Sequence, residues 1–293
     1  MVTLTREKTI MNEPVLRDVQ CLDGRGLHRM AYWQWGDAAN PKVLVCVHGL
    51  TRQGRDFDAL ARTLCGDYRV VCPDVVGRGR SDWLADPAAY VVPTYVADMV
   101  SLLARLDAQV VDWVGTSMGG LIGLGLASLD GAPVRKLVLN DVGPVIEAAA
   151  LQRIGSYVGQ SGFWRTLDEA ADALWALSQG FGAHSREQWL ALTAPQLKPA
   201  MRDGVEGFTT RVDPGIGVPF RAITPELAKA GEAMLWQAYD RLRCQTLLLR
   251  GAQSDLLSAD TARVMTQRGP RAQLHEFAGV GHAPTLVHDD HIE

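Results

Sequence analysis

Short apolar strands alternate with amphipathic helical segments along most of this chain, and few folds accommodate that order. Residues 42–49 are almost continuously apolar or β-branched, as expected of a strand whose two faces are both covered by helices. The same character recurs in residues 68–74, 110–115, 136–140 and 245–250. Apolar residues with helical spacing lie between these strands, in residues 56–64, 95–106 and 118–129. The alternation predicts an α/β fold with a mostly parallel sheet and right-handed connections.

Two segments depart from this alternation. Residues 15–22 and 27–35 are joined by a glycine-containing turn and predict an opening hairpin, so we expect the first edge of the sheet to be antiparallel. After residue 143, about 80 residues have helical spacing, many aromatic side chains and no clear strand. We interpret residues 144–224 as a helical cap inserted into a core of residues 1–143 and 225–293.

The composition limits the classes of function. Apolar residues make up 47% of the 293 positions and charged residues 21%, which is typical of a soluble globular protein. The formal net charge of -4 gives no positive field for phosphates, so we expect no nucleic-acid partner. No apolar run approaches the roughly 20 residues of a membrane helix, and residues 1–8 lack the apolar stretch of a signal peptide. These features predict a cytoplasmic protein without a membrane partner, either a monomer or a homodimer.

The cysteines give no sign of a metal or redox site. They are five in number, and no two have the Cys-x-x-Cys spacing of such sites. Cys46 and Cys72 lie inside predicted strands, where a thiol behaves as a small apolar side chain. His288 and His291 have a spacing seen in metal sites, but a solvated tail explains them more simply. We expect neither a metal nor a cofactor.

Ser117 is the predicted nucleophile. It stands in the sequence Gly-Thr-Ser-Met-Gly, residues 115–119, directly after a predicted strand and at the start of a predicted helix. This is the context of a nucleophile elbow, a turn so tight that a side chain two residues before or after the serine would collide with the backbone. The alternative is a glycine-rich packing turn without a catalytic role.

A serine hydroxyl needs a base, and an imidazole with a pKa of about 6.5 suits that task. His282 is the leading candidate, because it lies in a glycine-containing loop just after the predicted strand at residues 272–277. His275 lies inside that strand and is better explained as a structural residue. His48 follows the strand at residues 42–49, and we expect it to brace the loop there rather than to act as an acid or base.

The imidazole in turn needs a carboxylate that fixes its tautomer. Asp255 is the leading choice, because it follows the strand at residues 245–250 by a short loop and gives the chain order serine, aspartate, histidine. Asp141, at the exit of the strand before the cap, is the alternative. The oxyanion of the tetrahedral intermediate needs two backbone N–H donors, which we assign to Leu50 and Met118.

Several of these segments together resemble a known family, the α/β-hydrolase superfamily, in the serine-nucleophile branch with a helical cap. The matching segments are residues 48–49, 74–82, 115–119, 139–144, 251–255 and 281–282. The resemblance implies an eight-stranded, mostly parallel sheet with helices on both faces, a catalytic triad at Ser117, Asp255 and His282, and a helix after the histidine. Dehalogenases and epoxide hydrolases of this fold carry an aspartate at the elbow, so Ser117 argues against both.

The expected function is hydrolysis of carboxylic esters through a covalent acyl-serine, and the chain is most similar to bacterial carboxylesterases, including types active on aliphatic polyester oligomers. A lactonase, a carbon–carbon bond hydrolase or a perhydrolase would use the same triad. A ligand receptor on a hydrolase scaffold is a more remote alternative.

Other motifs carry less weight. Residues 77–81 match half of a dinucleotide-binding fingerprint but lack its last glycine. Arg52, Arg78 and Arg80 lie near predicted loop mouths and are expected to be solvated rather than to bind an anionic substrate. The candidate substrate-binding residues are three aromatic side chains, Trp83, Trp164 and Trp175.

Overall fold

The computed structural model describes residues 13–292, so the expectation about residues 1–8 lies outside the described residues. The strands are β1 (Val15–Asp23), β2 (Gly26–Trp35), β3 (Val43–Val47), β4 (Arg69–Pro73), β5 (Val111–Thr116), β6 (Val134–Asn140), β7 (Leu197–Arg202), β8 (Val205–Thr210), β9 (Gln245–Gly251) and β10 (Gln273–Phe277). The helices are α1 (Asp58–Leu64), α2 (Val92–Leu106), α3 (Met118–Ala127), α4 (Ala148–Tyr157), α5 (Leu167–Leu177), α6 (Arg186–Thr193), α7 (Gly217–Arg221), α8 (Pro225–Arg241), α9 (Ala259–Met265) and α10 (Asp289–Ile292). Short 3₁₀ helices occupy Gly54–Phe57, Pro87–Ala89, Gln179–Phe181, Ala194–Gln196 and Pro214–Ile216.

The main sheet has eight strands in the order β1-β2-β4-β3-β5-β6-β9-β10. The first two strands form an antiparallel hairpin, and β2 also pairs antiparallel with β4. Every other pair in this sheet is parallel. The predicted fold class, the five predicted inner strands and the antiparallel first edge are therefore confirmed.

The inner strands are apolar on both faces because helices cover both faces of the sheet. All five residues of β3 are buried, and so are the first five residues of β5. Cys46 and Cys72 are fully buried within β3 and β4, as predicted. Parallel strands all end at the same edge of a sheet, so the loops that follow β3, β5, β6 and β9 are brought together there.

The segment between β6 and β9 contains helices α4 to α8, but it is not purely helical. The strands β7 and β8 form a separate antiparallel hairpin, so the expectation of a cap without strands is wrong. Asp203 and Gly204 join them, both with positive φ (52° and 76°), as in the two-residue turns that favour Asp-Gly. The turn signal was present, but the flanking strands contain weak β-formers such as Lys198, Pro199 and Glu206.

The boundaries of the core at residues 1–143 and 225–293, and of the cap at 144–224, stay a prediction. Helix α8 begins at Pro225, with Thr224 as its N-cap. Among residues 13–292, no helix combines the length and the apolar character needed to cross a membrane.

Candidate active site

Ser117 lies on a sharp turn between β5 and α3. Its φ of 52° is in the left-handed region, which places it outside ordinary helix and strand geometry. A Cβ on Gly115 would lie 2.2 Å from the carbonyl oxygen of Gly119, and one on Gly119 would lie 2.0 Å from that of Val47. Only glycine is tolerated at either position, which is the steric requirement of a nucleophile elbow.

His282 lies beside this serine. Its Nε2 is 3.0 Å from Ser117 Oγ, so the structure brings together the two residues predicted as nucleophile and base. The loop that carries His282 is held on two sides. Asn140 Nδ2 donates to the carbonyl of Pro284 at 2.8 Å, and the N–H of Gly281 donates to the carbonyl of Gly180 at 2.7 Å. The sheet and the segment after α5 therefore both fix the position of the imidazole.

The carboxylate that faces His282 belongs to Asp141. Its Oδ2 lies 2.7 Å from His282 Nδ1, and its side chain is fully buried. Ser254 Oγ donates to the same oxygen at 2.6 Å, and the N–H of Gly251 donates to Oδ1 at 2.9 Å. Three donors thus converge on this carboxylate, which stabilises its negative charge. Ser254 was not identified from the sequence, and its place in the loop after β9 was the only signal.

Asp255 does not take that position, so the expectation that it would contact His282 is wrong. Its carboxylate is half exposed and pairs with Arg153 of α4, with Oδ2 2.7 Å from Nε and Oδ1 2.9 Å from Nη2. The reason is the path of the chain after β9. Ser254 N–H donates back to the carbonyl of Gly251, and this turn directs the Ser254 hydroxyl inward and the next side chain outward. Asp141, by contrast, directly follows the last residue of β6.

The two predicted oxyanion donors flank the serine. Met118 is the first residue of α3, where backbone N–H groups have no partner within the helix. A Cβ on Gly49 would lie 3.7 Å from the Cβ of Ser117, so the Gly49–Leu50 peptide adjoins the nucleophile. Within residues 13–292, neither Leu50 nor Met118 donates its N–H to a backbone or side-chain acceptor. The assignment of these two groups as the oxyanion hole stays a prediction.

His48 braces the loop that contains Leu50, as predicted. Its Nε2 accepts the N–H of Val75 at 2.9 Å, so the proton is on Nδ1, which donates to the carbonyl of Gly49 at 2.7 Å. Burial, with smaller contributions from the positive charges of Arg78 and Arg52, lowers the pKa of His48 to about 3. The neutral imidazole is therefore a fixed structural link.

The three candidate tryptophans lie in different surroundings. Trp83 is exposed, with Lys198 Nζ 4.6 Å from its ring centroid. Trp164 forms a β-bridge with Phe208. Trp175 packs edge-to-face on Trp189 at a centroid distance of 4.8 Å. Across the described residues, no hydrogen bond or ring contact joins any of the three to Ser117 or His282, and their role in substrate binding stays a prediction.

The arginines also differ from one another. Arg80 is exposed, as expected for a surface arginine. Arg52 is largely buried, so the expectation of a solvated side chain is wrong for it, and it binds Asp56 with its Nη2 2.9 Å from Oδ1. Arg78 is completely buried, so the expectation is wrong for it as well.

One group of potential metal ligands lies away from Ser117, at the β1–β2 hairpin. The donor atoms of Cys21, His28 and Asp98 lie within 4.8 Å of one another. His28 Nε2 is 3.0 Å from Asp98 Oδ1, and burial raises the pKa of the Cys21 thiol to about 12. A hydrogen-bonded histidine–aspartate pair beside a protonated thiol accounts for these contacts.

Comparisons with known proteins agree with the fold. The model of the alpha/beta hydrolase family matches residues 44–292. The chain is 56% identical, over 94% of each sequence, to a 3-hydroxybutyrate-oligomer hydrolase of Cupriavidus necator. It is 27% identical to an esterase of Escherichia coli, over 83% of this chain and 87% of that protein. A crystal structure of an α/β hydrolase from Novosphingobium aromaticivorans is 36% identical and superposes with a TM-score of 0.81, over 96% of this chain and 95% of that one.

The chain therefore belongs to the α/β hydrolase family. Within that family it is an enzyme that hydrolyses carboxylic esters.

Proposed function

We propose that this enzyme hydrolyses short oligomers of 3-hydroxybutyrate and related 3-hydroxy acids, by transferring the acyl group to Ser117. The observation that carries the proposal is the chain of contacts from Asp141 through His282 to Ser117, with distances of 2.7 Å and 3.0 Å. The nature of the substrate is supported by the 56% identity to a 3-hydroxybutyrate-oligomer hydrolase.

In the acylation step, Ser117 Oγ attacks the ester carbonyl and its proton passes to His282 Nε2. The carbonyl oxygen becomes an oxyanion that accepts hydrogen bonds from the N–H groups of Leu50 and Met118. The imidazolium then gives its proton to the departing 3-hydroxyl oxygen as the carbon–oxygen bond of the ester breaks. An alcohol leaves, and the acyl group remains bound to Ser117.

In the deacylation step, His282 Nε2 takes a proton from a water molecule, which attacks the acyl carbonyl. The proton returns to Ser117 Oγ as the carboxylic acid departs. Asp141 accepts the Nδ1–H of His282 throughout, so Nε2 presents its lone pair to the serine or to the water. The buried carboxylate also stabilises the imidazolium that forms in each step.

The proposal is tested by incubating the purified full chain with the dimer, trimer and tetramer of 3-hydroxybutyrate and measuring released monomer by chromatography. We expect multiple turnovers on all three, and we expect Ser117→Ala to lower kcat by at least about a thousandfold with an unchanged melting temperature. Turnover of p-nitrophenyl esters without release from any oligomer would contradict the proposed substrate. Near wild-type activity of Ser117→Ala would contradict the mechanism.

The same experiment separates the alternative functions. A lactonase, a carbon–carbon bond hydrolase or a perhydrolase would use the same three side chains, but each would leave the linear oligomers intact. A ligand receptor would release at most one equivalent of product and would be stabilised by its ligand.

We also propose that the enzyme is cytoplasmic, has no nucleic-acid partner and is a monomer or homodimer. The location is supported by Cys21, Cys46 and Cys72, which are buried free thiols as in proteins of reducing compartments. The net charge of -4 supports the absence of a nucleic-acid partner. Size-exclusion chromatography with light scattering measures the oligomeric state. A trimer or larger assembly would contradict the proposal of a monomer or homodimer.

A further inference from the structure

Arg78 lies behind the site, in the loop after β4, and is completely buried. Its Nε donates to the carbonyl of Leu50 at 2.8 Å, and its Nη2 lies 3.6 Å from the Sδ of Met118. These are the two residues whose N–H groups are assigned to the oxyanion hole. A single guanidinium therefore contacts both residues of that assignment.

The hydrogen-bonding oxygens around this guanidinium are neutral. Its Nη1 donates to the carbonyl of Val76 at 2.7 Å and to the hydroxyl of Tyr95 at 3.0 Å, and no carboxylate of residues 13–292 forms an ion pair with it. The ring centroids of Tyr90 and Tyr95 lie 5.6 Å and 5.1 Å from its central carbon. Burial raises the pKa of Tyr95, so the phenol stays neutral and provides an acceptor without a countercharge.

A buried charge without a directly bound countercharge destabilises the folded state, because the protein interior stabilises the charge less well than bulk water does. Replacing the arginine by an apolar side chain would remove that cost, so stability alone does not explain the arrangement. The acceptors and aromatic faces around Arg78 reduce the cost but leave a net positive charge at this position. The negative charge of an oxyanion that forms nearby during the reaction would interact favourably with this positive charge.

The loop at Leu50 is held at consecutive peptide groups. The carbonyl of Gly49 accepts from His48 Nδ1 at 2.7 Å and from the N–H of Arg52 at 3.1 Å. The next carbonyl, that of Leu50, accepts from Arg78. The N–H of Leu50 lies between these two carbonyls, so its direction is fixed from both sides. The Leu50 N–H belongs to the same peptide group as the Gly49 carbonyl, so the two hydrogen bonds to that carbonyl polarise this group and strengthen the N–H as a donor. Arg78 acts on the next peptide group and fixes the backbone on the other side of Leu50.

We propose that Arg78 is a positioning residue for ester hydrolysis: it fixes the backbone of Leu50 and Met118, and its charge stabilises the oxyanion that forms in front of them. The inference rests on the proposed function, because the oxyanion arises only if Ser117 attacks an ester. It goes beyond that function by assigning a role to a side chain outside the triad and the two N–H donors.

The test uses Arg78→Met, which keeps much of the volume and removes the charge, and Arg78→Lys, which keeps the charge and removes the planar donor set. Arg80→Met is the matched control, because Arg80 is exposed in the same loop and its hydrogen bonds, to Asp74 and from Arg29, are made by its backbone. We expect Arg78→Met to lower kcat by about tenfold to a hundredfold, less than the loss of a direct oxyanion donor, with KM little changed. Arg78→Lys should recover part of this loss, and Arg80→Met should behave as the wild type.

A pair of inhibitors separates stabilisation of the oxyanion from a general structural effect. A trifluoromethyl ketone analogue of the substrate adds Ser117 Oγ and becomes an oxyanion, whereas the matching methyl ketone stays largely uncharged. We expect the affinity of Arg78→Met for the trifluoromethyl ketone to fall by the same factor as kcat, with the affinity for the methyl ketone preserved. Equal losses for the two ketones, or kcat and both affinities within twofold of wild type, would overturn the proposal.

Circular dichroism and the melting temperature show whether each variant folds. If Arg78→Met does not fold, Arg78→Lys alone decides, because it should retain the methyl ketone affinity and lose part of the trifluoromethyl ketone affinity. Failure of the proposed function has a different signature. In that case the wild type itself would fail to hydrolyse esters, or Ser117→Ala would retain the activity.

Discussion

Two neighbouring strands, β6 and β9, are each followed by an aspartate, and the two side chains have different environments. Asp141 is fully buried, receives three hydrogen bonds and faces His282. Asp255 is 48% exposed and pairs with Arg153, which is 41% exposed. Both residues are aspartates at the same edge of the sheet. The immediate surroundings of the carboxylate, more than its place in the chain order, decide which aspartate orients the imidazole.

The difference has an electrostatic consequence. A buried carboxylate with three donors acts on a neighbouring imidazole at a low effective dielectric constant, whereas a half-exposed carboxylate is screened by water. We therefore expect Asp141 to stabilise the imidazolium. We expect Asp255 to contribute only weakly to the stability of the folded protein, through its exposed ion pair with Arg153.

The largest expected effect is a loss of kcat when Asp141, but not Asp255, is replaced by asparagine. Asp141→Asn keeps the shape but places an amide beside His282 Nδ1, which favours the wrong tautomer, and kcat should fall by roughly a thousandfold to ten-thousandfold. Asp255→Asn is the matched control and should leave kcat on the 3-hydroxybutyrate dimer close to wild type. If the two variants showed the reverse order, the assignment of the orienting carboxylate would be wrong.

The second prediction extends the comparison to a buried and an exposed histidine. Burial lowers the pKa of His48 to about 3 in the folded protein, whereas the unfolded chain titrates near its ordinary value, about 6.5. The unfolded chain therefore takes up the proton first as the pH falls, which favours unfolding. From about pH 7.5 to about pH 5, this group should remove on the order of 2 kcal/mol from the free energy of unfolding.

Urea unfolding across that pH range measures this effect. The difference in stability between wild type and His48→Asn should shrink as the pH falls, because the variant lacks the titrating group. His275→Asn is the control, since His275 is exposed on β10. Parallel pH profiles for wild type and His48→Asn would contradict the prediction.

A smaller effect is expected at Ser254, which donates to Asp141 at 2.6 Å. Ser254→Ala removes one of the three donors, so kcat should fall by several-fold and the free energy of unfolding by about 1–3 kcal/mol. The control is Ser258→Ala, which removes the N-cap of α9 and should lower stability alone. Equal kcat values for the two variants would show that Ser254 does not support the carboxylate.

The smallest effect is expected at the surface pair. Arg153→Met breaks the contact with Asp255, and the free energy of unfolding should change by less than about 1 kcal/mol, since exposed ion pairs are weak and screened by salt. A double-mutant cycle with Asp255→Asn at low and high salt measures the coupling. A coupling several times larger would mean that this contact contributes substantially to stability.

The sequence by itself determined the features that depend on neighbours in the chain. The sheet strands are visible as apolar runs, because burial on both faces leaves no polar positions in them. Ser117 is identified by glycines two residues away on either side. Gly115 avoids a collision with the backbone of Gly119, four residues later in the same turn, although Gly119 avoids one with Val47 of the neighbouring strand β3. His282 is placed by the strand that precedes it and by the glycine before it.

Only the tertiary structure decided the features that depend on contacts across strands. Asp141 and Asp255 both follow strands, and the chain order favours the wrong one, because a single turn at Ser254 sends the later side chain to the surface. Arg78 looks like a surface arginine in sequence, yet the loop at Leu50 and helix α2 at Tyr95 enclose it. Burial and hydrogen-bond partners are properties of the packed molecule, and a linear pattern does not encode them where several residues of the same chemistry compete.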